Sequence, residues 1–210
     1  MRWEHTPPPE PVVRALQSEH GLARVLAELL ATRLTAEHGP VAQYLDPRLR
    51  DICDPYELNQ LPEAVERLIA ALHAGEEILI VGDYDVDGMT STALLVDALR
   101  RFGGQPRYQL PRRMEEGYGL SAAMVERILE EPLPRLLIAL DCGTNSVAEV
   151  ARLRELGVEV IIVDHHEGKE AIPTDCLLIN PKLYPGCPCT ELCTAGLVFK
   201  LVHGLVKRLR

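Results

Sequence analysis

ILIVGDYDVDGMTS, residues 78–91, is an apolar run that passes without a break into aspartates at three alternate positions, Asp83, Asp85 and Asp87, and then into Gly88 and a small-residue helix start. Side chains two apart on an extended chain project to the same side, and three carboxylates crowded at a strand end repel one another unless positive charge lies between them. The bland explanation is a solvated acidic turn. A metal site accounts better for three acids in this pattern, and hard oxygen ligands favour manganese or magnesium over softer ions.

Downstream of this stretch, short β-branched runs alternate with helical stretches. A helix is expected from about Met89 to Phe102, closed by Gly103 and Gly104, then a strand near Arg107–Leu110, a loop PRRMEEGYGL, and a helix capped by Ser121. Leu136–Leu140 and Val158–Val163 read as buried strands separated by a helix over Val147–Leu156. Cys176–Ile179 offers a fifth strand, and Leu192–Leu209 a final helix with a basic end. Strands that are nearly all apolar and separated by helices indicate a parallel sheet covered on both faces. The expected fold is therefore α/β, a five-stranded, doubly wound parallel sheet.

Upstream, residues 1–11 carry four prolines and read as an extended tail. Apolar spacing from Val12 to about Ala36 suits helices broken near Gly21 and stopped by Gly39-Pro40. Residues 44–60 contain two Asp-Pro turns, and Leu61–Gly75 is an amphipathic helix ended by its glycine. The expected organisation is an N-terminal tail and helical annex over residues 1–74, with the sheet domain over 75–210.

Composition is that of an ordinary globular protein: 210 residues, 47% hydrophobic and 25% charged. There is no long apolar span and no charged-then-apolar leader, so a soluble, cytoplasmic protein with no membrane contact is expected. A net charge of −9 argues against a binder that holds nucleic acid by charge neutralisation alone, although carboxylates holding cations inflate that sum. The six cysteines are too uneven for a secreted disulfide scaffold; Cys53 and Cys142 stand alone, and reduced thiols are expected. Cys187, Cys189 and Cys193, with Cys176 nearby, have irregular spacing for zinc and read as structural.

In an open parallel sheet, ligands bind outside the carboxyl ends of the strands. Three expected strands end in acids: Val81 before Asp83, Leu140 before Asp141, and Val163 before Asp164-His165-His166. This inventory suits two divalent ions, with Asp141 placed to bridge them if its strand neighbours the first. Adjacent histidines point in different directions, so one is expected to bind metal while the other faces substrate, and Asp164 is placed either to orient an imidazole or to touch metal itself. Gly88, Gly143 and the small residues after them open helices whose amides can meet an anion. No P-loop is present. The loop from Arg112 to Gly119 offers two arginines and two glycines, which suits a phosphate grip and equally suits a solvated loop.

DYDVDG at 83–88, ALDCG at 139–143 and VDHHE at 163–167, in this order and spacing, resemble the DHH phosphoesterase family. GDYDVDGMTSTALL, EGYGL and LCTAGLVFKL are similar, more narrowly, to its single-strand-specific DNA exonuclease branch. The resemblance implies a manganese- or magnesium-dependent phosphodiesterase, with two ions, that degrades single-stranded DNA from the 5′ end to mononucleotides by attack of a metal-activated water, in repair and recombination. Single-strand-binding protein or a helicase would be its protein partners. By the same resemblance Asp83, Asp85, Asp87, Asp141 and His165 would be metal ligands, and His166 would contact the scissile phosphate with Asp164 beside it as catalytic residues. Arg112, Gly117 and Tyr118 would contact substrate. The family carries a further aspartate motif and a second domain beyond the histidine pair; Asp175 is the only later aspartate here and lacks that motif, so the catalytic region is expected to be incomplete in this chain, and its activity alone weak or nil. The alternatives are a manganese pyrophosphatase, a small-oligonucleotide or cyclic-dinucleotide phosphodiesterase, and a non-catalytic scaffold with the same fold.

Overall fold

A computed structural model describes residues 6–34, 40–112 and 115–210. The start of the proline tail, Gly39 of the expected helix stop, and Arg113 of the substrate loop lie outside the described residues.

The chain forms two compact units, Met1–Ile52 and Cys53–Arg210. The first holds α1 (Glu10–His20), α2 (Arg24–Arg33) and the short α3 (Val41–Leu45). Gly21, at φ +65°, ends α1 where the apolar spacing is interrupted. Val13, Leu16 and Ala27 form its small core, and Arg24 bridges Glu10 and Glu28 on the surface. α1 begins two residues inside the expected extended tail, because proline in the first turn removes only an amide that has no intrahelical partner.

The second unit is built on a five-stranded, all-parallel sheet of described residues: β1 (Ile78–Gly82), β2 (Arg107–Gln109), β3 (Leu136–Leu140), β4 (Glu159–Val163) and β5 (Leu177–Ile179), in the order β2-β1-β3-β4-β5. β1, β3 and β4 run in register, Val81 beside Ala139 and Ala139 beside Ile162. Their period of two divides the apolar run between the faces. Ile78, Ile80, Leu136, Ile138 and Ile161 point to one side, where they meet α4 (Leu61–Ala74), α5 (Val86–Arg101) and α8 (Thr194–Leu209). Leu79, Val81, Leu137, Ala139, Val160 and Ile162 point to the other, under α6 (Ala122–Leu129) and α7 (Val147–Glu155). Because both faces are covered, β1 and β3 are buried along their whole length, which is why they contain no polar side chain.

The units divide at 52/53 and not at 74/75. The stripe Leu61, Ala64, Val65, Leu68 and Ala71 that suggests an annex helix is the face by which α4 joins the sheet core and α8. Among the described residues no helix is long and apolar enough to cross a membrane.

α5 leaves β1 on one face to reach β2, whereas α6 and α7 cross the other face, so the direction of winding reverses between β1 and β3. The carboxyl ends of those two strands flank the cleft that such a reversal opens.

Candidate metal centre

The aspartates of the DYDVDG turn do not continue the extended chain. Asp85 is the N-cap of α5, accepting the Gly88 amide at 2.9 Å, and Asp87 already lies in the first helical turn. The helix start is therefore three residues earlier than expected, and only Asp83 and Asp85 remain on the non-helical part of the turn. Gly88 makes the sharp exit feasible: a Cβ there would lie 2.5 Å from the Asp83 carbonyl oxygen and 2.6 Å from its nitrogen. Asp87, carried away from the other two, accepts the amides of Thr194 and Ala195, both at 2.8 Å, and so caps α8.

From β3 comes Asp141, in the left-handed region at φ +62°, an uncommon conformation that aspartate tolerates better than most residues. It is 1% exposed. The Thr194 hydroxyl donates to its Oδ1 at 2.9 Å. Burial first, and then the charges of Asp87 and Asp85, push its carboxyl up to about 7 against the opposing hydrogen bond from Thr194. Asp85 moves the opposite way, held below the usual carboxylate range chiefly by the Gly88 amide.

From β4 come Asp164 and the two histidines. Asp164 is as buried as Asp141, but it is satisfied: it accepts the amides of Thr144, His165 and His166 and the His166 Nδ1 at 2.7 Å. Burial raises its carboxyl, but the His166 and Thr144 hydrogen bonds outweigh that and bring it to about 2. The same Asp164 contact raises His166 to about 9. With Nδ1 held by Asp164, Nε2 is the atom His166 can present to the cleft. His165 turns differently, its ring tilted 54° from that of His166, with Nε2 3.4 Å from Asp141 Oδ1 and 3.6 Å from Asp87 Oδ2.

Two groups of donor atoms result, Asp83, Asp85 and Asp141, and Asp141, His165 and His166, each with its ligand atoms within 4.8 Å of one another and Asp141 common to both. The donor set fits a hard divalent ion: carboxylate oxygens and imidazole nitrogens, with one buried carboxylate destabilised by like charges that a cation would neutralise. Asp87 is adjacent through His165, with both oxygens engaged on α8.

Beside this centre a cleft of about 390 Å³ is lined by Asp83, Asp141, Asp164 and His166 and by the Thr144–Ser146 start of α7. Tyr118 forms one wall, 73% exposed, its ring 5.4 Å from that of Tyr84. Arg112 and Gly117 lie outside that lining. Arg112 is exposed and faces Glu115 at 3.3 Å, and Gly117 stands in open space at φ +81°.

Several supporting residues are not singled out as site residues by the sequence. Thr194, fully buried, ties α8 to Asp141 and Asp87. Asn180, also buried, donates to the Thr144 hydroxyl and to the His166 carbonyl, fixing the β3 and β4 loops to each other. Gly119 places its amide 3.3 Å from Asp83. Thr194 lies in the LCTAGLVFKL run and Gly119 in EGYGL, whereas Asn180 lies in neither motif.

Residues 77–209 match the model of the DHH family, N-terminal domain. The chain belongs to the DHH family. The single-stranded-DNA-specific exonuclease RecJ of Bacillus subtilis is 35% identical over the whole chain, and that of Escherichia coli is 37% identical over 86% of it. Among solved structures, RecJ of Thermus thermophilus in complex with Mn2+ superimposes with a TM-score of 0.76 at 30% identity, covering 98% of this chain and 28% of that one. A second, of exonuclease RecJ bound to manganese, gives 0.67 at 39% identity over 72% of this chain and 38% of that one. The narrower resemblance of the sequence is thus to the relatives found. This DHH chain spans 27% and 32% of the lengths of the two exonucleases from Bacillus and Escherichia.

Proposed function

We propose that this chain forms the metal-binding half of a phosphodiesterase active site, and that the protein degrades single-stranded DNA from its 5′ end to mononucleotides in repair and recombination. The observation that carries the reading is the convergence of Asp83, Asp85, Asp141 and His165 at the winding reversal, with Asp141 shared between two donor groups. Relatives named as RecJ, among them solved structures bound to manganese, support the substrate and the ion.

Asp83, Asp85, Asp141 and His165 would hold two Mn2+ or Mg2+ ions, with Asp87 joining from the first turn of α5. When bound, such ions supply Lewis acidity, stabilising charge on a phosphodiester and acidifying the attacking water. His166, whose Nδ1 is held by Asp164, would in its protonated form offer Nε2–H to a non-bridging phosphate oxygen. Asp164 is a positioning residue in this scheme, since its own carboxylate is saturated by donors. Tyr118 offers an exposed ring on which a base can stack, and Arg112 and Gly117, outside the cleft lining, would be further contacts to the DNA. Single-strand-binding protein or a helicase would deliver the substrate.

The test, made on the whole protein to which this chain contributes the metal-binding half of the site, compares a single-stranded DNA oligomer, a duplex, pyrophosphate and a dinucleotide, each with Mn2+ or with EDTA. Mononucleotides released from the 5′ end of the single strand with Mn2+ alone are expected. Hydrolysis confined to pyrophosphate or the dinucleotide overturns the assignment. Calorimetric titration with Mn2+ separates the metal centre from the substrate: absence of binding removes the centre itself.

A further inference from the structure

Cys53, which in the sequence stands alone, is brought across 136 residues to Cys189, with the two Sγ atoms 2.8 Å apart. Lys200 of α8 reaches the same point. Its Nζ donates to the Cys53 carbonyl at 2.8 Å and lies 3.0 Å from the Cys53 Sγ, and the residue is 4% exposed. A buried ammonium is costly unless a counter-charge accompanies it. Among the described residues no carboxylate lies within ion-pair distance of Lys200; its partners are one neutral carbonyl and one sulfur. Cys189 is the complementary member. Burial first, and then Cys53 itself, push its thiol up to about 12, so it remains an S–H donor towards Cys53. It stands in the left-handed region at φ +67° on the loop that leads into α8.

We propose that Cys53 and Cys189 are a dithiol modification site, oxidised by a peroxide to an intramolecular disulfide with Lys200 promoting the first step. The ammonium stabilises negative charge on the Cys53 sulfur, which attacks one peroxide oxygen. The O–O bond breaks, Cys53 becomes a sulfenic acid, and the other oxygen leaves as hydroxide that takes up a proton. The Cys189 sulfur then attacks the sulfenic sulfur, the S–OH bond breaks, and its proton leaves with the hydroxide as water. Two thiols and one hydrogen peroxide thus give one disulfide and two waters. Closing from 2.8 Å to a covalent length of about 2.05 Å needs a shift of less than about 1 Å. The pair is separate from the metal centre but joined to it through the backbone, because Thr194 and Ala195, which hold Asp87 and Asp141, follow Cys189 by five and six residues.

The test treats the native chain, freed of metal with EDTA, with hydrogen peroxide and maps its peptides without reduction. A Cys53–Cys189 cross-link formed ahead of any link to Cys176, Cys187 or Cys193 is expected. In the reduced protein, iodoacetamide should label Cys53 about tenfold faster than it does in Lys200→Met. Because Lys200→Met removes a buried residue, Cys189→Ser provides a second variant: it keeps the lysine and should accumulate a Cys53 sulfenic acid that dimedone captures. Cross-links scattered over the other cysteines, labelling indifferent to the lysine, or no dimedone adduct in Cys189→Ser would each overturn the proposal.

Discussion

Replacing Asp141 by asparagine should stabilise the metal-free protein, by an amount that grows with pH. The carboxyl rises from 3.8 to about 7 on folding, so between those values the folded state binds more protons than the unfolded one, and stability falls as pH rises. At about 1.4 kcal/mol per pH unit the penalty is about 2 kcal/mol at pH 5 and levels off near 4 kcal/mol by pH 8. The asparagine side chain would keep the Thr194 hydrogen bond, with a neutral acceptor in place of the charge, and carry no penalty at any pH. Urea denaturation of wild type and Asp141→Asn in EDTA at pH 5 and pH 8 measures the difference. The variant's advantage should widen by about 2 kcal/mol between the two. Saturating Mn2+ should reverse the order, since only the carboxylate gains from the ion. An advantage that is equal at both pH values, or a variant less stable than wild type at pH 8, would refute the account of a buried carboxylate crowded by Asp85 and Asp87.

Three further outcomes are expected. In the metal-free protein, His166 should titrate near 9 by imidazole NMR, and Asp164→Asn should return it towards 6.5; its pairing energy is complete below about 6.5 and is lost as pH rises through about 9, so a His166 that still titrates high in the variant would locate the cause elsewhere. Gly88→Ala should cost roughly 1–3 kcal/mol by denaturation, because the added methyl meets the Asp83 backbone, and should weaken Mn2+ binding by moving the turn. Thr194→Val deletes the hydroxyl on Asp141 but keeps the backbone amide on Asp87; Mn2+ affinity should fall several-fold with a stability loss of about 1–2 kcal/mol, and unchanged affinity by calorimetry would mean that Thr194 does not position the carboxylate.

The sheet is legible because β1, β3 and β4 are short apolar runs closed by acids, and all five strands lie within a residue of their expected bounds. The gathering of Asp83, Asp85, Asp141 and the histidines follows from the same feature, since strand ends at a winding reversal face one cleft. Local conformation within the motif is where expectation and structure part. Alternation does not extend through Asp87, because Asp85 begins a helix by capping it, a signal that Asp85 and Gly88 carry as a cap and its donor. Helix α4 belongs to the sheet unit and not to an annex, because an amphipathic stripe does not say which core it faces. The Thr194–Asp141 and Cys53–Cys189 contacts span 53 and 136 residues, and no local pattern encodes such pairs.

Asp87 and Asp141 both depend on donors from the first turn of α8, more than fifty residues later in the chain. During synthesis these two acids therefore emerge from the ribosome long before the groups that hold them. The constellation is completed only when residue 195 has cleared the exit tunnel and the last helix has docked. A nascent or prematurely ended chain would carry all the DYDVDG and DHH residues and still lack an ordered place for an ion.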